Sequence, residues 1–263
     1  KTFQAEDEIA GICSALGASF SGDLAITASS GPGIALKGEA IGLGVITELP
    51  IVVINIQRGG PSTGLPTKTE QSDLNQAMFG RNGECPTVVI ACQSPSDCFE
   101  TAFTACKIAL EFMVPVMLLS DGYIANGSEP WKLPELDQLS DIQTRKIKES
   151  NGESFSPYKR DEKTLSRPWA LPGQKGLEHR IGGLEKANVT GHVSYDPDNH
   201  HHMVKLRQEK IDIIANFIPN AIPYGEEKGD MLVLGWGGTY GSIRAAVEKC
   251  QQENLSVSHL HLK

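Results

Sequence analysis

Residues 51–56, Ile-Val-Val-Ile-Asn-Ile, form a β-branched run that ends abruptly at Gln57-Arg58. A run without apolar/polar alternation reads as a strand covered on both faces, the environment of a parallel sheet flanked by helices. Beyond it the chain turns to Gly-Gly-Pro-Ser-Thr-Gly-Leu-Pro-Thr, a composition that ends regular structure. In open α/β sheets, ligands bind in the crevice beyond the carboxyl ends of the strands. Arg58 would stand there, where a guanidinium can meet a carboxylate through two parallel, charge-assisted hydrogen bonds. Gly59, Gly60 and Gly64 would let the backbone approach a ligand closely. An ordinary strand-end loop with an exposed arginine fits the composition equally, and both readings stay open at this point.

The neighbouring segments follow the same logic. Over residues 4–20, Ala5, Ile9, Ile12, Cys13, Leu16 and Phe20 recur at helical spacing, with Glu6 and Glu8 on the edges of that stripe and Asp7 turned away. A short strand over 24–27 runs into Ala28-Ser29-Ser30-Gly31-Pro32-Gly33, a turn expected to precede a helix over 36–48. A short helix near 70–77 and a strand over 87–91 follow. Next come a helix capped at Ser94 or Ser96 with Pro95 in its first turn, and a strand over 114–119 ending in Ser120-Asp121-Gly122. This alternation predicts an α/β fold, a doubly wound and mostly parallel sheet with right-handed crossovers, over residues 1–130.

Residues 131–222 change character. They are polar and proline-bearing, and read as an irregular excursion packed over the first domain, anchored by Trp131, Phe155, Trp169, Leu171 and Ile181, with a connecting helix over 204–217. Residues 223–263 read as the start of a second α/β domain: a strand over 231–236, a turn at 237–239, a helix to 254 and a strand over 257–262. A first helix with no strand before it, and a last strand that should lead onward, suggest a piece of a longer polypeptide.

Composition excludes some classes. Hydrophobic residues make up 40% and charged residues 21% of the 263, as in a globular protein. A net charge of −8 without any basic stripe argues against nucleic acid, and no apolar run reaches the roughly 18 residues of a membrane span. The six cysteines lack C-x-x-C spacing, so they read as reduced thiols of a cytoplasmic protein, with no metal or iron–sulfur site in this chain.

Other motifs are weaker. Gly235-Trp-Gly-Gly-Thr-Tyr-Gly241 lacks the Lys-Ser/Thr of a phosphate loop and is better explained by close helix packing. His200-His201-His202 would splay by roughly 100° per residue on a helix, which favours a solvated helix start over a metal site. Glu178-His179-Arg180 is a polar loop cluster, read as surface. Ser29 and Ser30 lack a G-x-S-x-G elbow, so nucleophilic chemistry is the weaker option. Asp121-Gly122 with Asn126 lacks the leading glycine and the spacing of a Gly-Asp-Gly…Asn magnesium motif. Glu6-Asp7-Glu8 is most simply an acidic first helical turn, with a catalytic carboxylate as the sharper alternative.

Several of these segments acquire meaning together. Gln4-Ala-Glu-Asp-Glu-Ile-Ala10, Ser29-Ser-Gly-Pro-Gly33, Gln57-Arg-Gly-Gly-Pro-Ser-Thr-Gly-Leu-Pro-Thr67, Ser120-Asp-Gly122 and His179-Arg-Ile-Gly-Gly183 resemble the α subunit of the 2-oxoacid:ferredoxin oxidoreductases, in particular the 2-oxoglutarate enzymes. The resemblance implies a domain that binds the aminopyrimidine of thiamin diphosphate at an interface with a separate β subunit. That β subunit would carry the Mg²⁺–diphosphate site and an iron–sulfur cluster. By position, Glu8 matches the carboxylate at the pyrimidine ring, Ser29, Ser30 and Gly31 line the cofactor, and Arg58 and Thr67 meet the substrate. The implied reaction converts a 2-oxoacid, with coenzyme A, to its acyl-CoA, and ferredoxin takes the electrons. Two rivals remain: a non-oxidative thiamin-dependent enzyme, and a scaffolding subunit whose site has decayed.

Overall fold

The computed structural model describes residues 1–65, 68–149 and 154–263. Its first layer is α1 (Glu8–Phe20), which begins later than the apolar spacing suggests. Asp7 is not in the first turn: it is the N-cap, its carboxylate accepting from the Ala10 amide at 2.7 Å. The buried face is Ile12, Ala15, Leu16 and Ser19, while Ile9 and Phe20 remain exposed. The expected stripe was therefore rotated, because the helix packs on the sheet through only one side and leaves the other facing a groove.

Then follow β1 (Ala25–Ser29), α2 (Gly31–Leu36), α3 (Gly38–Thr47) and β2 (Ile51–Gln57). Gly31-Pro32-Gly33 are not a turn before a long helix; they are the first turn of α2, where proline's fixed φ and missing N–H are tolerated. The remaining elements of the domain are α4 (Leu74–Phe79), β3 (Val88–Ala91), α5 (Cys98–Phe112), β4 (Pro115–Asp121) and α6 (Gly122–Asn126). Asp97, not Ser94 or Ser96, stands before α5; the Ser94 hydroxyl donates to the Glu129 carboxylate at 2.5 Å, the Ser96 amide donates to it at 2.6 Å, and the two serine hydroxyls lie 3.2 Å apart.

The strands pair in parallel in the order β1-β2-β4-β3, with Ile51 opposite Pro115 and Gln57 opposite Asp121. Side chains alternate across this sheet. Ile51, Val53, Met117 and Leu119 enter one core with Ile12, Leu16 and Ile41. Val52, Val116 and Leu118 enter another with Ala105, Ile108 and Phe112. Both faces are thus buried, which explains the unbroken apolar runs of β2 and β4.

The excursion is mostly irregular, but it is packed. Trp169 is 1% exposed and donates from Nε1 to the Ser19 carbonyl at 3.2 Å. Tyr158 and Leu177 are buried with it, whereas Trp131 is 46% exposed and lies against Phe99. The connecting helix, α7 (Pro197–Ile214), starts seven residues before the expected Val204. Its Asp196 cap and Pro197 form the start signal. Its buried face includes Arg207 and Lys210, which an apolar pattern cannot reveal. A second unit, β5 (Met231–Trp236), α8 (Tyr240–Gln252) and β6 (Val257–Leu262), forms a two-stranded parallel sheet. It meets the first domain where Gln71 Nε2 donates to the Trp236 carbonyl at 3.1 Å and Lys263 pairs with Asp97. No described helix is long and apolar enough to cross a membrane.

Candidate functional site

The carboxyl ends of β1 and β2 open on either side of α2, and the sequence-predicted residues gather there. Glu8 is half-buried in the first turn of α1. Ser29 ends β1, and Ser30 stands before α2 without making a side-chain cap bond. Glu8 and Ser29 converge on Gly33: a Cβ there would collide with Ser29 Oγ and fall 2.8 Å from Glu8 Cγ. Only glycine leaves room for both side chains. Glu8 and Ser29 line an open groove of about 980 Å³ between α1 and the edge strand β1. The three acids near the start of the chain thus separate. Asp7 is occupied as a cap, Glu6 is exposed ahead of the helix, and Glu8 faces Ser29.

On the other side of α2, Arg58 is exposed at the mouth of a pocket of about 530 Å³ lined by Gly31, Pro32, Gly60, Glu70 and Asp73. Among the described residues Arg58 makes no ion pair. Its loop is held by other groups: the Gly60 amide donates to Glu70 Oε2 at 2.7 Å, and the Gly59 amide to the Lys68 carbonyl at 2.8 Å. Gly64 has φ of 48°, and a Cβ on it would collide with the Gly59 carbonyl. Its bareness therefore serves the loop's own closure and not the approach of a ligand. Thr67 lies outside the described residues. Gly31 borders the Arg58 pocket while Ser29 borders the Glu8 groove, so the start of α2 separates two adjoining recesses.

Sequence reasoning missed the groups that hold this arrangement. Asn55, fully buried in β2, donates from Nδ2 to Asp73 Oδ2 at 3.0 Å, and Gln57 Oε1 accepts from the Asp73 amide at 3.2 Å. Gln57 Nε2 also donates to the Ser120 carbonyl at 3.1 Å, tying β2 to β4 where both strands end. A lone Asn inside a β-branched run was the available signal, since a buried amide must find partners. Lys37, 1% exposed, was also missed.

The motifs set aside earlier lie elsewhere. The Asp121 carboxylate caps α6, accepting from the Tyr123 and Ile124 amides at 2.8 and 3.0 Å. His200 Nδ1 is 2.7 Å from Glu185 Oε2, while His202 Nε2 lies 3.1 Å from Asn188 Nδ2, so the two rings take different partners. Burial holds the His179 imidazole below its ordinary pKa, outweighing its bond to the Leu177 carbonyl. Among the described residues no group of three or more His, Cys, Asp or Glu side chains could hold a metal ion.

Comparisons with known proteins agree on one relationship. Residues 1–195 match the family described as "Pyruvate flavodoxin/ferredoxin oxidoreductase, thiamine diP-bdg". The chain is 56% identical over its whole length to "2-oxoglutarate oxidoreductase subunit KorA" of Mycobacterium tuberculosis, covering 40% of that protein. It is 31% identical to "2-oxoglutarate synthase subunit KorA" of Methanothermobacter thermautotrophicus, with 98% of this chain and 68% of that one covered. A solved structure, "2-oxoglutarate:ferredoxin oxidoreductase from Magnetococcus marinus with 2-oxoglutarate, coenzyme A and succinyl-CoA bound", superposes with a TM-score of 0.91 at 36% identity, over 99% of this chain and 45% of that one. The chain thus spans less than half the length of the first of these relatives and of the solved structure.

Proposed function

This chain belongs to the thiamine-diphosphate-binding pyruvate flavodoxin/ferredoxin oxidoreductase family, and from that premise we propose that it is the cofactor-activating and substrate-orienting part of a 2-oxoglutarate:ferredoxin oxidoreductase α subunit. The reaction proposed is oxidative decarboxylation of 2-oxoglutarate, with coenzyme A, to its acyl-CoA, in the cytoplasm, with ferredoxin taking the electrons. Thiamin diphosphate, when bound, supplies the nucleophilic carbon that attacks the 2-oxoacid carbonyl and the ring that accepts the electron pair on loss of CO₂.

The observation that carries the proposal is the convergence of Glu8 and Ser29 on bare Gly33, one short helix from Arg58, which makes no ion pair among the described residues. The residues present fit the cofactor's aminopyrimidine half. Glu8 offers a carboxyl group to a ring nitrogen, and Ser29, Ser30 and Gly31 offer hydroxyl and backbone groups to the ring's edge. Glu8 would share a proton with that ring nitrogen, which would favour the imino tautomer of the exocyclic amino group, the form able to accept a proton. Arg58 receives the carboxylate common to 2-oxoacids in a bidentate pair, and Thr67 is proposed as a second substrate-binding residue from the family motif. Mg²⁺, the diphosphate and an iron–sulfur cluster are assigned to a β subunit. Ile9, Phe20, Leu24 and Ile26, each at least 36% exposed along α1 and β1, would be covered by that subunit.

The deciding experiment uses the full-length subunit assembled with its β partner. Proton–deuterium exchange at the thiazolium carbon, and turnover of 2-oxoglutarate, pyruvate and branched-chain 2-oxoacids, are measured for the parent and Glu8→Gln. Exchange slowed in the variant, with 2-oxoglutarate preferred by the parent, supports the reading. Parental exchange in Glu8→Gln would overturn it.

A further inference from the structure

Lys37, between α2 and α3, is a buried cation that the proposed function leaves unused. Its Nζ donates to Thr27 Oγ1 at 2.8 Å and to the Ala28 carbonyl at 3.4 Å. An ammonium has three N–H donors. The second of these contacts is long, and the third donor has no acceptor among the described residues. Taking an ammonium out of water costs several kcal/mol unless an anion faces it. Elsewhere the chain meets that need directly, since Lys210, equally buried, sits on the Glu48 carboxylate. Among the described residues Lys37 has no such contact pair.

The anion placed to answer it is Glu8. Lys37 and Glu8 line the same groove, together with Thr27, Ala28 and Ser29. Gly33, one turn before Lys37, has Glu8 Cγ against its bare Cα, and the Lys37 amide donates to the Gly33 carbonyl at 3.2 Å. Gly11, one turn after Glu8, faces Thr27 Oγ1, the atom that Lys37 holds. The two side chains therefore flank one point at the end of β1. Burial lowers the Lys37 pKa, and the Glu8 charge opposes that lowering. Of the other acids that line the groove, Asp7 caps α1, and Glu6 and Asp23 are exposed where Glu8 is half-buried; Asp73 is held by Asn55 across α2.

We propose that Lys37 is a positioning residue for the cofactor-activating acid: its ammonium pins the end of β1 and supplies the counter-charge that holds the Glu8 carboxylate toward the groove. The inference rests on the assignment of Glu8 made above. An attraction between opposite charges acts on both partners, so Glu8 is drawn toward Lys37 as Lys37 is toward Glu8.

The test has two arms. In the first, the full-length subunit without cofactor is labelled at lysine Nζ with ¹⁵N, and the Lys37 ammonium is titrated in the parent and in Glu8→Gln. Loss of an opposite charge at this range should lower the Lys37 midpoint by roughly one pH unit. In the second arm, thiazolium exchange in the assembled enzyme is followed against pH for Lys37→Met and Lys37→Arg. The methionine variant should show the acidic limb displaced upward by roughly one unit, and the arginine variant, which keeps the charge, should restore most of the parental profile. A Lys37 midpoint identical in parent and Glu8→Gln overturns the pairing, even if Lys37→Met fails to fold. An unmoved exchange profile in a folded Lys37→Met overturns the positioning role. Failure of the Glu8 assignment itself would appear separately, as parental exchange in Glu8→Gln.

Discussion

The two ends of β2 carry charge in opposite ways. Before its amino end, Glu48 closes α3 in a left-handed conformation, with φ of 53°, and is 2% exposed. Arg160 of the excursion grips it at 2.6 Å, and Lys210 of α7 completes the cluster, donating also to the Phe112 carbonyl at 3.3 Å. Burial pushes the Glu48 carboxyl up, but Lys210 and Arg160 outweigh it and hold the group near a pKa of about 2. Beyond the carboxyl end, Arg58 is exposed and makes no ion pair among the described residues. A buried charge must be matched from within the chain, and matching it draws remote segments together. An exposed one can wait for a ligand. Glu48 thus fastens residues 131–222 to the domain, and Arg58 leaves its pocket open.

Substitutions at the two ends should separate accordingly. The largest effect belongs to the groove that adjoins the open end across α2: Glu8→Gln should slow thiazolium exchange by about 10²–10⁴, the range of general acid–base catalysis. Its melting temperature should fall modestly, since Lys37 loses its facing charge but keeps its bonds to Thr27 and Ala28, and a fall as large as that of Glu48→Ala would mean that Glu8 is structural instead. At the closed end, Glu48→Ala strands two buried cations and should cost about 3–5 kcal/mol in denaturant unfolding. A loss below about 1 kcal/mol would erase the contrast. The same residue sets a pH signature. Its folded pKa lies below the ordinary 4.5, so its contribution is complete above that value and fades as pH falls toward about 2. Glu48→Gln should therefore flatten acid destabilisation in that window.

Smaller effects sharpen the picture. Arg58→Ala should cost about 1.5–3 kcal/mol in kcat/KM, as for hydrogen bonds to charged groups. Arg58→Lys should be nearly as poor, because an ammonium cannot form the planar pair. Combining Arg58→Ala with Glu48→Ala gives the sharpest check that the ends are independent. In the double variant the unfolding free energy should match that of Glu48→Ala and the kcat/KM that of Arg58→Ala, each within about 0.5 kcal/mol. The smallest effect is at Asp7, where Asp7→Ala should cost about 1 kcal/mol of stability through the lost cap and alter exchange only a few-fold.

Much of the frame could be read directly. The unbroken runs of β2 and β4 announced a sheet covered on both faces, because a strand needs apolar side chains on both sides only when both sides are packed. The strand–helix alternation supplied the winding, and the break at Gln57-Arg58 located the crevice. The match of Glu8, Arg58 and Thr67 came from family motifs, since spacing alone left Glu6 and Glu8 equivalent. The start of α7 escaped because Pro197–His202 are polar and carry no apolar period, leaving Asp196-Pro197 as the signal that went unread, and the Ser94/Ser96 cap failed because those hydroxyls are taken up by each other and by Glu129.

Local pattern determined the sheet, the order of its elements and the place where it opens, because period and turn chemistry act between residues near in sequence. Tertiary structure alone decided which charges are used up and which are free. Glu48 meets Arg160 and Lys210 across 112 and 162 residues, and Lys37 reaches Thr27 and faces Glu8 only once α2 has folded back over β1. The worth of a charged group depends on burial and on its neighbours in space, and neither is written in the spacing of the chain.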